Sequence, residues 1–530
     1  MPLKPRPSFG PETRALRRFA WPAAVISAAV WTGLLLLPMA ALFGSLGANE
    51  TLVKLLDPVI ISIARVTFWQ ALLSAVLSLV AGLGLGLLVR PTRGMRAILA
   101  IPFAVPTVVA AAAWITWLGR TGLLGGALDW LYSFRAVILA HVALNAPWVA
   151  LQVSLARMDI PGRRLDAAAT LGAGAWARFR FVIFPEIRAA WLAAGAQVMA
   201  LCSMSFALVL LLGGGPPVQS LETALYSRVR FGTLDLPGAA ACACWQLAVA
   251  SLPWLLVLFL KKRQVDHSES RGGARAGPSG RPPHVLLSAF TWIFALGFIF
   301  PYLAVGIPFF TQAGRMLLFA PETLAQLLLP LQVSLLIAAG SALGAVSLAL
   351  AGIVTAASFG AWLAVPFTLS SGVSVLVLGL GFWLAFQKFI DPFAGSLPAI
   401  IALQTAVFSP LVFRSLWPVA QGARKRLLEA AWTLGANPLR AFSVVEWPRW
   451  RAPLVSAFAL VAALSMGEVA AVSLFYSENL VPLPLLLSRW TGQYRFVEAQ
   501  GLATMLLLLS ATGIVIITLW GDLNVEDQAR

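Results

Sequence analysis

Residues 165–185 read LDAAATLGAGAWARFRFVIFP, and residues 428–448 read LEAAWTLGANPLRAFSVVEWP. Asp166, Gly172 and Pro185 stand 6 and 13 residues apart, and Glu429, Gly435 and Pro448 repeat both intervals. The second copy lies 263 positions after the first in a chain of 530 residues. The pattern predicts one device built twice, once in each half of the chain. Within each copy, the Ala-rich segment has an acid near its start and a glycine at its end. That composition predicts a short helix closed by Gly172 or Gly435 as its C-cap. A turn and an amphipathic segment follow, expected to end at Pro185 or Pro448. Together they predict a compact helix–turn–helix foot lying along a membrane surface. An interfacial helix that only stitches two spans is the plainer alternative, and the shared spacing of two copies argues against it.

The surroundings of these blocks are strongly apolar. Hydrophobic residues make up 59% of the chain and charged residues 11%, with a mean hydropathy of +0.85. Soluble domains carry roughly 25% charged residues, so water is not the main solvent of this chain. Runs of about 20 apolar residues recur throughout, as transmembrane helices require. They are expected near 21–43, 60–89, 97–118, 135–156, 189–212, 238–260, 285–310, 330–354, 362–386, 397–416, 452–475 and 499–520. The first run is too long for a signal-peptide core and reads as a retained span. The expected fold is therefore an all-α polytopic membrane protein of about twelve transmembrane helices in two six-helix halves. The first half covers 1–260 with a loop at 157–188, and the second covers 285–530 with a loop at 417–451. A Gly-, Pro-, Ser- and Arg-rich linker, 261–284, joins them.

Charge sets the orientation. The net charge of +17 points away from nucleic acid once its placement is considered. With the N-terminus inside, 28 of the 38 basic residues fall in inner segments and 9 in outer ones. Excess Lys and Arg mark cytoplasmic loops, so both termini, the linker and both repeated blocks are expected on the cytoplasmic face. Six spans per half keeps the halves parallel, whereas odd-span halves would be inverted as in many ion-coupled carriers. Two like devices on one face predict two like partners beneath them.

The second block, with Glu429-Ala430-Ala431 and Gly435, resembles the EAA loop of bacterial ABC-importer permeases. The first keeps the pattern as Asp166-Ala167-Ala168 and Gly172, with Asp for Glu. Further segments are similar to the fused permeases of thiamine importers: TFWQALLSAVLSL (67–79), LAHVALNAPWVA (139–150), SFALVLLLGGGPP (205–217) and ETALYSRVRFGTLDLPGAA (222–240), then ALSMGEVAAVSLF (463–475) and SRWTGQYRF (488–496). The resemblance implies a type I importer permease fold in the bacterial inner membrane. It implies two copies of a cytoplasmic ABC ATPase docked on the two loops, a periplasmic substrate-binding protein outside, and translocation of thiamine or its phosphate esters by alternating access. Related fused permeases carry ferric iron, which leaves iron or another small solute as the alternative substrate. An ion-coupled secondary carrier and a membrane scaffold are the alternatives from other classes.

No Gly-Lys-Ser/Thr phosphate loop occurs, since none of the six lysines follows a glycine. No cofactor is therefore expected on this chain, and ATP-Mg belongs to the partner subunit. No catalytic constellation is seen. His141, His267 and His284 are too scattered for a metal site, and the three cysteines lie in apolar runs. LGLGLL (83–88) and GLGLGF (377–382) lie inside spans, where small residues let helices approach closely. Polar groups inside spans are costly in lipid and so mark candidate pathway positions: His141, Asn145, Ser205, Gln404 and Glu468. Interhelical hydrogen bonding is the structural alternative for the uncharged ones. Glu468 is read as the 17th residue of a continuous helix from Ala452, either facing a cavity or paired with Arg489.

Overall fold

The computed structural model describes residues 11–45, 49–89, 92–119, 122, 124, 130–213, 215, 218–231, 234–262, 285–360, 363, 365, 367, 370–389, 391, 394–421 and 425–529. Most of the predicted linker, residues 263–284 with His267 and His284, lies outside them. The described residues fold into helices joined by turns, without a named strand. Among the described residues, six helices are long and apolar enough to cross a membrane, or eight if two bent pairs each count as one span. The bent pairs are Gly94–Phe103 with Thr107–Leu118, at 88°, and Phe290–Gly297 with Phe300–Phe310, at 52°. The protein is thus an all-α, multi-pass membrane protein. Two spans expected to be continuous are broken: Phe184–Ser203 is separated from Ala207–Leu212, and Trp447–Ser465 from Ala470–Phe475.

The helices form two series with matched starts. Pro58–Leu88, Phe134–Met158, Gly162–Thr170, Ala175–Arg178, Phe184–Ser203 and Ala207–Leu212 are followed, 263 residues later in each case, by helices starting at Pro321, Leu397, Lys425, Pro438, Trp447 and Ala470. Local chemistry explains several starts. Asp57 caps Pro58–Leu88 by accepting from the Val59 N–H at 2.9 Å, with proline at the first helical position. Ser133 does the same for Phe134–Met158.

Pro185 and Pro448 correct the expectation that they end helices. Each sits at the second position of a long helix, and a five-residue π-turn leads straight into it, Phe179–Ile183 and Phe442–Glu446. A proline ring clashes with the carbonyl four residues earlier and lacks an N–H. The wider π-turn moves that carbonyl aside, and the N–H just before the proline bonds five residues back instead, Phe184 to Phe179 and Trp447 to Phe442. Pro38 follows the π-turn Thr32–Leu36 in the same way. The chain therefore passes from each loop into a membrane helix without a hinge at the proline.

The two series interlock. Pro11–Trp31 packs on Pro321–Phe359, with Trp21 against Phe359 at 5.5 Å, and Leu37–Ser45 packs on Val375–Phe386. In return Thr107–Leu118 packs on Phe496–Ala529, where Gln500 donates to Thr116 at 2.9 Å. Trp117 donates to the Pro301 carbonyl at 3.2 Å.

Within the first series, Pro58–Leu88 lies on Phe134–Met158 through two glycines. A Cβ on Gly82 would meet the Val149 Cβ at 2.5 Å, and one on Gly86 would meet the Ala150 carbonyl at 2.7 Å. Lipid supplies no hydrophobic drive between helices, so this close van der Waals contact holds the pair. Gly84, between them, faces open space. Gly82→Val or Gly86→Val should overpack the contact by about 1–3 kcal/mol and lower the thermal midpoint of the detergent-purified protein. Gly84→Ala should leave the midpoint unchanged or raise it, because alanine favours helix by about 1 kcal/mol. Equal effects at 84 and 86 would contradict this packing.

Candidate functional site

The repeated blocks form two loops of the same geometry. Helix Gly162–Thr170 ends in a left-handed Gly172, φ +79°, with Gly172 N–H bonded to the Ala169 carbonyl and Ala173 N–H to that of Ala168, each at 3.0 Å. Helix Lys425–Thr433 ends at Gly435, φ +78°, with Gly435 N–H on Trp432 at 2.9 Å and Ala436 N–H on Ala431 at 3.0 Å. Only glycine takes this conformation without strain. Leu171 and Leu434, one position before each glycine, are both 87% exposed, and Phe181 and Val444 are also exposed. Each loop thus presents apolar knobs outward at matched positions. The attachments differ: Arg164 pairs with Glu186 at 2.6 Å in the first loop, whereas Glu446 accepts from both Arg449 and Trp450 in the second.

The uncharged candidates lie in two buried networks. His141 Nδ1 accepts from Gln70 at 2.9 Å, with Ser74 at 3.2 Å, and its Nε2 faces Ser205 at 2.9 Å. The donating Gln70 amide fixes the tautomer with the proton on Nε2. Asn145 donates to the His141 carbonyl at 2.8 Å and approaches the Cys202 sulfur at 3.6 Å. In the second series Gln404 stands 263 positions after His141. Its Oε1 accepts from Ser341, at 3.0 Å, and from Ser465. Each network ties the same three helices of its series together. His141, Asn145, Ser205 and Gln404 are all buried.

Glu468 is placed differently from expectation. It lies in the break between Trp447–Ser465 and Ala470–Phe475, where its Oε1 accepts from the Ala470 N–H at 2.7 Å. The turn is possible because Gly467 packs on Pro106, at the break of the bent pair; a Cβ there would meet the proline ring at 2.4 Å. Arg489 is not the partner of Glu468. Its guanidinium lies 4.9 Å from the Tyr476 ring centroid, and Arg230 covers the same ring at 4.1 Å. Arg230 also donates to the Leu474 and Tyr476 carbonyls, each at 3.4 Å. Burial pushes the Tyr476 phenol up, but the two guanidiniums outweigh it and hold the group below its ordinary value.

Arg230 belongs to a helix that hydropathy hides. Leu221–Arg230 and Leu483–Gly492 fall between the expected spans, and both are largely buried. The Ser220 capping box with Thr223 was the signal that could have found the first. The first N–H of each helix donates to a hydroxyl on a long span, Leu221 to Thr67 at 2.9 Å and Leu483 to Ser334 at 2.8 Å. Arg230 therefore fastens a helix of the first series to the end of a broken span of the second.

No protein-family model matches the chain. It is 30% identical over 470 residues to the thiamine transport system permease protein ThiP of Brucella abortus (strain 2308), covering 84% of each chain. The like-named protein of Haemophilus influenzae is 30% identical over 477 residues, covering 84% of this chain and 85% of its own. That of Escherichia coli (strain K12) is 30% identical over 471 residues, covering 84% and 86%.

Proposed function

The chain belongs to the family of thiamine transport system permease proteins, and from that premise we propose that it is the membrane-translocating subunit of an ATP-driven importer of thiamine or its phosphate esters. The observation that carries the reading is an identity of 30% sustained over 84% of the chain with thiamine permeases of several bacteria. It works in the inner membrane as two parallel six-span halves with both termini cytoplasmic, an arrangement favoured by the 263-residue recurrence of helices and the bias of basic residues.

Energy enters through the two loops. Each offers a short helix, Asp166-Ala167-Ala168 or Glu429-Ala430-Ala431, ended by a rigid left-handed glycine with an exposed leucine beside it. Two copies of a cytoplasmic ABC ATPase, which binds ATP-Mg, take one loop each. Closure of the ATPases pulls on the loops, and the π-turns before Pro185 and Pro448 pass that movement into Phe184–Ser203 and Trp447–Ser465. The networks around His141 and Gln404 tie the helices of each half together, which supports a helix-positioning role for these residues.

A periplasmic binding protein delivers substrate on the opposite face, where Arg230 and Arg489 on Tyr476 close the seam between the halves. Reconstituted with both partners, the chain should take up thiamine when ATP is supplied and not in response to an ion gradient.

A further inference from the structure

One face of helix Leu221–Arg230 carries Glu222, Tyr226 and Arg230, four residues apart and so one above another. That face meets the second series. Arg230 reaches the carbonyls of Leu474 and Tyr476, at the end of Ala470–Phe475. Tyr226, one turn before Arg230 on the same face, lies within electrostatic range of Tyr476. Glu222 lies near Ser374 and within electrostatic range of Glu468, at the start of Ala470–Phe475. The two short helices thus run side by side in one direction, with a carboxylate from each at one end and the Arg230–Tyr476 contact at the other.

The carboxylates are unusual in what they lack. Glu222 is 1% exposed, and its Oε1 has no hydrogen-bond partner. Among the described residues neither Glu222 nor Glu468 forms an ion pair with a basic side chain. Intramembrane carboxylates ordinarily pair with a cation or face a water-filled path, because an uncompensated charge there is costly. One helical turn from Glu222, Tyr226 packs edge-on with Phe206, ring centroids 5.0 Å apart, and Phe206 itself sits in the break of the first series. A pair of carboxylates with aromatic rings one turn away suits a flat organic cation better than a small hydrated ion.

We propose that Glu222 and Glu468, one from each half, together bind the cationic heteroaromatic ring of the transported substrate as it passes the seam, with Tyr226 and Phe206 as the wall of that site. The proposal rests on the thiamine reading, whose thiazolium ring is such a cation. Loosening of the Arg230–Tyr476 contact opens the seam and exposes the acid pair to the outer side. The ring then supplies the missing positive charge and leaves as the halves rock back.

The test uses the full complex in proteoliposomes, with labelled thiamine and an isosteric analogue whose ring nitrogen is replaced by carbon, each supplied on the preloaded binding protein. In the wild type the cation should be taken up faster than the neutral analogue. Glu222→Gln and Glu468→Gln should each cut thiamine uptake at least tenfold and bring the two rates together, while Glu222→Asp and Glu468→Asp recover part of the preference. Binding-protein-stimulated ATPase should persist in the Gln variants. Wild-type uptake by the double Gln variant overturns the proposal. So does an equal loss for cation and analogue, or a loss of assembled complex that the Asp variants share, since each marks the pair as a strut. Failure of the wild type to take up thiamine at all would count against the assigned function and not against the site.

Discussion

The double replacement Gly172→Val and Gly435→Val is expected to abolish uptake while leaving the protein folded in the membrane. Both glycines hold φ near +80°, and a Cβ at either would meet nothing within 4 Å. The cost is therefore backbone strain alone, roughly 1–2 kcal/mol per site for an L-residue in the left-handed region. A β-branched side chain relieves that strain by abandoning the cap, which frees the Ala168 and Ala169 carbonyls or those of Ala431 and Trp432 and swings the short helix away. If each loop docks one ATPase, as proposed, the single variants each leave one docked and should keep partial uptake. They should also differ, because Arg164–Glu186 braces the first loop from outside the cap and the second uses Glu446 with Arg449. Uptake, binding-protein-stimulated ATPase and thermal midpoint are measured together. Wild-type uptake by the double variant would reduce the loops to connectors between spans.

An equally complete but reversible loss is expected from joining Arg230 to Tyr476. In a background lacking Cys202, Cys242 and Cys244, cysteines at both positions are bridged with a short reducible thiol cross-linker. Arg230 stacks on Tyr476 and bonds to its carbonyl, so the two positions face each other between the two series of helices. If the seam must open for each substrate, the bridged complex should lose uptake to background and regain it on reduction. Normal uptake by the bridged complex would place the path elsewhere. The unbridged cysteine pair serves as reference, since it already lacks the cation–π contacts, worth about 0.5–2 kcal/mol each.

Much of this organisation can be read from the chain. The Asp/Glu–Gly–Pro ruler locates both loops, and the left-handed glycines follow from an Ala-rich segment that stops at Gly. Apolar runs locate the membrane helices, and the mirrored positions of His141 and Gln404 are present in the sequence at the same 263-residue offset. Other features depend on contacts that no local pattern encodes. Pro185 and Pro448 look like helix ends until the π-turns ahead of them are seen, because periodicity does not distinguish a widened turn from a stop. The breaks at 204–206 and 466–469 carry no proline; the second exists because Gly467 fits against Pro106, some 360 residues away in sequence. Glu468, read as part of a continuous helix, instead caps a new one. Leu221–Arg230 is hidden for a related reason: its Glu, Arg and Ser content reads as loop, and only the neighbouring helices make it interior. The packing of Pro11–Trp31 on the second series and of Phe496–Ala529 on the first is likewise invisible, since every apolar span presents similar side chains to any partner.

The most direct measurement is uptake of labelled thiamine into proteoliposomes holding this chain with its ATPase and binding protein. Uptake should require ATP and the binding protein, compete with unlabelled thiamine, and survive collapse of proton and sodium gradients by ionophores. Thiamine uptake that follows an ion gradient without ATP, or ATP-driven uptake of another solute with thiamine excluded, would contradict the thiamine-importer reading.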